Sequence, residues 1–268
     1  MLDIENLTVH FNCAPPDHTA VKGISLHMDK GEIVGLVGES GSGKSVTALT
    51  IAGLLNRYMA AFGGKVMFNG QDILSLPSEQ LRKIRGKDIA MVFQEPMSSL
   101  NPVLKIGPQV EESLIIHTNK TKEERKSLAL AALKAVDLPD PEATYNKYPH
   151  QLSGGQLQRV CIAAAMISNP ALLIADEPTT ALDVTIQAQI IELLKRLNRE
   201  YGMGILFISH NLNVVRKLCT RVAVMYKGNI VEEGPCDDIF FNPKEDYTKR
   251  LIAAIPTRSK KNVRYLCT

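Results

Sequence analysis

Eight residues, Gly38 to Ser45, read GESGSGKS and fit the pattern G-x-x-x-x-G-K-[ST]. Their types suit the holding of a chain of phosphates. A triphosphate tail carries several negative charges, so it needs many donors at close range. Gly38, Gly41 and Gly43 have no side chains to block the backbone. The N–H groups of a loop that also holds Glu39, Ser40 and Ser42 can therefore wrap the anion. Lys44 adds a mobile cation for the outer phosphates, and the Ser45 hydroxyl suits a Mg²⁺ ligand. The bland alternative is a glycine-rich turn. At average composition such a match arises by chance in a chain of this length about 1% of the time.

Nucleotide chemistry also needs carboxylates. Asp176 and Glu177 follow the apolar run 172–175. Beyond a phosphate loop, such an Asp supports the Mg²⁺ shell opposite the loop hydroxyl. The adjacent Glu can polarise water for attack on the γ-phosphate. A surface Asp-Glu pair is common, and it is the loop upstream that gives this one a role. Gln94 and His210 also stand just past apolar runs, 89–93 and 204–208. Parallel strands bring their C-terminal ends to a ligand crevice, so Gln94, Asp176 and His210 can converge on one phosphate. Taken singly, a loop His or Gln is more often structural.

A second glycine-rich stretch, Leu152 to Gln156, reads LSGGQ and precedes an Ala-rich helical run. Ser153, Gly154, Gly155 and Gln156 can also present donors to an anion. One chain thus offers two phosphate-binding faces. That is odd for a monomer and natural for a dimer with nucleotide at its interface.

The elements that must position these groups follow from periodicity. The apolar run Ile33–Val37 predicts a buried strand before the loop, and Ser45 to Leu55 a helix after it. Alternation over Leu2–Phe11 and Val21–Met28 predicts antiparallel strands outside this unit. Gly63-Gly64 and Asn69-Gly70 bracket a further hairpin strand at Val66–Phe68. Residues 110–148 are helical in character, and Thr121 with Glu124 forms a capping-box pattern. This block interrupts the strand series as an insert. Lys227-Gly228-Asn229, flanked by Arg221 to Tyr226 and Ile230 to Glu233, is a hairpin turn signal. The predicted fold class is α/β: a P-loop NTPase core with a mainly parallel sheet, an N-terminal antiparallel β subdomain and an inserted α-helical subdomain.

Composition sets limits. A hydrophobic content of 45% is ample for a core. Aromatic content is 5% with no Trp, and net charge is only +3. Neither suggests a nucleic-acid surface. The five cysteines form no C-x-x-C pair, which fits a reducing compartment. Residues 1–5 carry no signal-peptide pattern, and no apolar run approaches the ~18 residues of a membrane span. A cytosolic protein is expected. The basic residues Arg258, Lys260, Lys261 and Arg264 read as a solvated tail or a contact with anionic lipid.

GESGSGKS, Gln94, LSGGQ, LLIADEP at 172–178, Ala181-Leu182-Asp183 and His210 stand in the order of the ABC ATPase family, which this sequence resembles over almost its whole length. The resemblance implies roles. Gly38 to Ser45 would be the Walker A loop, Gln94 the Q-loop glutamine and Ser153 to Gln156 the family signature. Asp176 and Glu177 would be the Walker B aspartate and catalytic glutamate, Asp183 a D-loop residue and His210 the switch histidine. Phe11 matches the aromatic that stacks on adenine. ATP and Mg²⁺ are the implied cofactors, with Ser45, Gln94 and Asp176 around the metal. One ABC ATPase domain is expected, divided into a core with β subdomain (1–97 and 157–240), a helical subdomain (98–156) and a C-terminal extension (241–268).

Residues 94–102, QEPMSSLNP, and the stretch from Asn242-Pro243 to Ala254-Ile255-Pro256 resemble the ATPases of oligopeptide, dipeptide and nickel importers. Many peptide-importer members continue into an iron–sulfur cysteine cluster, whereas here only Cys267 stands near the end. On that ground the sequence resembles the shorter nickel or metal-chelate subunits somewhat better. The implied partners are two permease subunits, a second and different ATPase subunit, and an extracytoplasmic solute-binding protein reached through the permeases. No nucleic acid is expected. The implied place is the cytoplasmic face of the cell membrane. A soluble ABC ATPase acting on DNA or ribosomes is the alternative, but the long coiled coil, zinc cysteines or tandem nucleotide domains usual there are missing. A GTPase switch fails because Asn119-Lys120 and Asn146-Lys147 do not continue into N-K-x-D.

Overall fold

The computed structural model describes residues 1–15, 18–180 and 182–255. The chain opens with β1 (Leu2–Phe11) and β2 (Thr19–Met28), an antiparallel pair that buries Leu2, Ile4, Leu7 and Val9. β3 (Ile33–Val37) is buried at every position and runs through the glycine-rich loop into α1 (Lys44–Ile51). β4 (Ala60–Phe68) and β5 (Gln71–Asp72) return to β1, giving a sheet in the order β2-β1-β4-β5. α2 (Ser78–Ile84) and β6 (Ile89–Val92) follow. Helices α3 (Pro96–Ser99), α4 (Ile106–His117), α5 (Lys122–Ala135) and α6 (Pro141–Asn146) then interrupt the strands. α7 (Gly154–Met166) leads back to β7 (Leu172–Asp176). α8 (Val184–Tyr201), β8 (Gly204–Ser209) and α9 (Leu212–Leu218) alternate after it. β9 (Arg221–Tyr226) and β10 (Asn229–Pro235) form a hairpin, and α10 (Cys236–Phe241) and α11 (Asp246–Ala253) come last.

The second sheet has the order β10-β9-β3-β8-β7-β6, parallel except for the antiparallel β10. It separates two apolar cores. Ile33, Val37, Leu173, Ala175, Ile205 and Phe207 face the helices. Val34, Leu36, Leu172, Ile174, Leu206 and Ile208 face the first sheet and α1. A strand buried on both faces cannot alternate apolar with polar, which is why these strands read as unbroken apolar runs. Because β3, β6, β7 and β8 run parallel, their C-terminal ends share one edge, where Gly38, Phe93, Glu177 and His210 begin the loops.

The capping box at Thr121 forms: its hydroxyl accepts the Glu124 N–H at 3.3 Å, and the Glu124 carboxylate accepts the Thr121 N–H at 2.7 Å. Gly63-Gly64 is not a turn. Both glycines lie inside β4, where the pairing with β1 shifts register between Glu5 and Thr8. A glycine pair signals a turn locally, but here it accommodates a bulge across which β4 continues. No helix among the described residues is long and apolar enough to cross a membrane. Ala181, Pro256, the basic residues from Arg258 to Arg264 and Cys267 lie outside the described residues.

Candidate active site

β3 ends at Gly38, where φ is +152° and a Cβ would stand 2.1 Å from the Met225 carbonyl oxygen on β9. Only glycine fits there, so the sheet itself dictates the loop's first residue. The loop closes on α1, which is capped by Gly43 in a left-handed conformation with no side-chain cap. The first N–H groups of α1 are thereby left for an anion. Lys44 is only 5% exposed. Its Nζ donates to the carbonyl oxygens of Gly38 and Glu39, each at 2.8 Å. Burial pushes the Lys44 ammonium below the ordinary lysine range, and the nearby carboxylates of Glu177, Asp176 and Glu39 offset only part of that. A phosphate chain in this loop would add counter-charge to this cation.

Opposite the loop, β7 brings up Asp176, whose Oδ1 accepts a hydrogen bond from the Ser45 hydroxyl at 3.3 Å. Burial lifts the Asp176 carboxyl above the usual carboxylate range, against the opposing pull of Ser45 and Lys44. Glu177 follows with φ +49°, a strained value for a side chain of its size. Its N–H donates to the Ile208 carbonyl at 2.9 Å, which ties that turn to β8. Three groups then converge on the Glu177 carboxylate. Gln94 Nε2 reaches Oε2 at 3.1 Å, the Thr180 hydroxyl donates to Oε2 at 2.9 Å, and His210 Nδ1 lies 3.0 Å from Oε1. Three strand ends thus meet around one acid.

These residues line a single cleft of 630 Å³ with Gly38, Lys44 and Ser45 on one wall and Gln94, Glu177 and His210 on another. Thr180 and Leu251 also line it. Neither was singled out from the sequence. For Thr180 the usable signal was a hydroxyl three residues after Glu177 in the run D-E-P-T-T. Leu251 gave no local signal, because α11 reaches the cleft only through the fold. Phe11 and the signature residues Ser153 to Gln156 do not line this cleft. Phe11 ends β1 and packs part-buried on the core beneath the first sheet. Ser153 caps its own helix: its hydroxyl accepts the Gln156 N–H at 3.4 Å, and its N–H donates to Gln156 Oε1 at 3.0 Å. Its hydroxyl hydrogen remains available to donate elsewhere.

The Ser45 hydroxyl lines the cleft and Asp176 lies buried directly behind it, within 3.3 Å, so two hard oxygen ligands suited to Mg²⁺ stand side by side. Among the described residues no group of three or more His, Cys, Asp or Glu could hold a metal. A cation here would draw its other ligands from phosphates and water, the usual manner of Mg²⁺. It would neutralise charge on the outer phosphates. The chain's own residues would do the rest: the loop would bind the anion, and Glu177 would orient a water.

The fold and cleft define a phosphate-loop ATPase. A family model described as "ABC transporter" matches residues 21–180. The oligopeptide transport ATP-binding protein OppD of Bacillus subtilis is 47% identical over 96% of this chain and 72% of its own length. The dipeptide transport ATP-binding protein DppD of Haemophilus influenzae is 48% identical over 96% of this chain and 78% of its own. Among solved structures, a dimeric post-hydrolysis state of the ATP-binding cassette MJ0796 with ADP and Pi is similar at a TM-score of 0.78. It is 35% identical, over 88% of this chain and 99% of that one. The chain belongs to the ABC transporter ATPase family, and it hydrolyses ATP to power transport.

Proposed function

We propose that this chain is one of two different ATPase subunits that drive a peptide importer from the cytosolic side of the membrane. The observation that carries the cargo class is the identity of 47–48% with oligopeptide and dipeptide transport ATPases over 96% of the chain. Those relatives are named for transport rather than for DNA or ribosomes. Nickel chelates are the competing cargo.

Gly38 to Ser45 bind the ATP phosphates, Ser45 and Asp176 hold Mg²⁺ with Gln94 nearby, and Glu177 orients the attacking water. His210 and Thr180 keep the Glu177 carboxylate in place. The signature is used in trans. Ser153 stands outside the cleft its own chain forms, with a hydroxyl hydrogen to spare, so a head-to-tail neighbour supplies the nucleotide it meets. The dimeric form of the similar cassette supports such a pairing.

Permeases would dock beside β6. A groove of 280 Å³ there is lined by Phe93, Ser99, Leu100, Gln109 and Ile116, and Phe93 and Ile116 are 40% and 48% exposed. It lies between β6, which ends two residues before Gln94, and the helical insert, so a partner helix seated in it would sense that glutamine. A solute-binding protein outside the membrane would deliver the cargo.

The test is reconstitution with candidate permeases and a candidate second ATPase from the same genome, followed by uptake of labelled dipeptides, oligopeptides and nickel chelates. Peptide uptake that requires ATP supports the proposal. Uptake of nickel chelates alone would reassign the cargo, and copurification with ribosomes instead of permeases would overturn it.

A further inference from the structure

Helix α11 reaches the phosphate-binding loop from 208 residues away in the chain: the Glu39 N–H donates to the Tyr247 hydroxyl at 3.1 Å. Glu39 N–H and Gly38 C=O belong to one peptide unit. Lys44 Nζ donates to that same Gly38 oxygen at 2.8 Å. The peptide plane between residues 38 and 39 is therefore held at both ends by side chains. One of them, Lys44, must turn to the outer phosphates when nucleotide enters. Tyr247 then remains as the side chain holding this plane.

Tyr247 is itself firmly placed. It is 7% exposed, and its ring stacks on Tyr226 with centroids 4.0 Å apart. Tyr226 follows Met225, whose carbonyl leaves no room for a Cβ at Gly38. The start of α11 is pinned to β10, because the Glu232 carboxylate accepts the N–H groups of Lys244 and Glu245 at 2.8 and 3.1 Å. One turn beyond Tyr247, Leu251 lines the nucleotide cleft. Strand, hairpin and helix thus deliver one phenol oxygen to one loop amide.

We propose that Tyr247 is a positioning residue for the phosphate-binding loop, through which α11 sets the affinity for nucleotide. This rests on the reading of Gly38 to Ser45 as that loop. A loop already in its binding conformation spends less of its interaction energy on ordering, so holding the 38–39 peptide raises affinity without any contact to ATP. Turnover at saturating ATP does not depend on it, because Glu177, Gln94 and His210 sit on other strand ends.

The test compares the full-length chain with Tyr247→Phe, which keeps the ring stack and removes only the hydroxyl. ATP and ADP affinities are read by fluorescence of labelled nucleotide, KM and kcat in the reconstituted transporter, and unfolding by calorimetry. Lys44→Ala serves as the control on the site. Tyr247→Phe is expected to weaken ATP about 5- to 10-fold, the effect of one lost hydrogen bond to a part-buried amide, and to raise KM in step with kcat unchanged. Unchanged affinity in Tyr247→Phe, with binding lost in Lys44→Ala, would overturn the role of Tyr247 and leave the site intact. A fall in kcat together with a lowered unfolding temperature would reduce Tyr247 to general support and equally overturn it. Unchanged binding in both variants would remove the loop assignment, and this inference with it.

Discussion

The Nδ1 atom of His210 lies 3.0 Å from Oε1 of Glu177, while the other carboxylate oxygen takes Gln94 and Thr180. The acid is thus held on both sides by side chains of its own chain. Its carboxylate can rotate little, which suits a group that must aim a water. Glu177→Gln keeps the shape and loses the basicity. Hydrolysis in the reconstituted complex should fall about 10²–10⁴-fold with ATP still bound. Single-turnover assays with labelled ATP check this, and retained turnover would move the base to another residue.

Lys44→Ala removes the only lysine or arginine that lines the cleft among its described residues. The outer phosphates lose a charge-assisted donor, and ATP affinity should drop roughly 10²-fold or more. Equilibrium binding on the purified chain measures it. Near-normal ATPase in the assembled complex would contradict the loop's role.

Two displaced groups predict how binding follows pH. Burial lifts the Asp176 carboxyl above its usual range, and a cation can take only the ionised form. Below that lifted pKa, Mg²⁺ affinity should fall about tenfold per pH unit, starting at higher pH than for an exposed aspartate. At the alkaline end, burial holds the Lys44 ammonium below the usual lysine range, so its charge is lost early and ATP affinity falls. Titrations of Mg²⁺ and nucleotide across pH read both limbs. Asp176→Asn should abolish the acid limb, and Lys44→Arg should move the alkaline limb beyond reach.

Ser153→Arg should spare nucleotide binding at this chain's own loop, because Ser153 does not line that cleft. Hydrolysis at the partner's site should be lost instead. Isolated chain should hydrolyse ATP slowly and faster on adding the second subunit. Fast turnover that persists on dilution, with the chain monomeric by light scattering, would refute the shared site.

Ser99 lies in the groove beside Phe93 and donates to the Glu95 carbonyl at 2.9 Å. A charge there, as in Ser99→Glu, should impair docking while leaving the cleft untouched. Uptake should fall well below ATPase. Strict proportion between the two would remove the coupling role.

Local pattern carried much of this fold. Parallel strands buried on both faces leave continuous apolar runs, and their polar successors, Gln94, Asp176 and His210, stood out at once. The glycine loop was legible because phosphate chemistry restricts residue types so tightly. What escaped detection depended on distance or context. Tyr247 meets Glu39 across 208 residues, and neither neighbourhood hints at the other. Gly63-Gly64 imitates a turn, and only the register of β1 shows that the strand continues. Thr180 matters only because the turn after Glu177 brings it back onto the carboxylate.

Ser153 stands outside the cleft that Lys44 lines, and this separation bears on inheritance. In the proposed pair of unlike subunits, a change at Lys44 would be felt at one nucleotide and a change at Ser153 at the other. Gene duplication would then free one site to decay into a slow, regulatory holder of ATP while the other stayed fast, with neither chain losing its fold. The traces of such decay would be complementary. One copy would lose its lysine loop and keep its serine, and its sister would do the reverse.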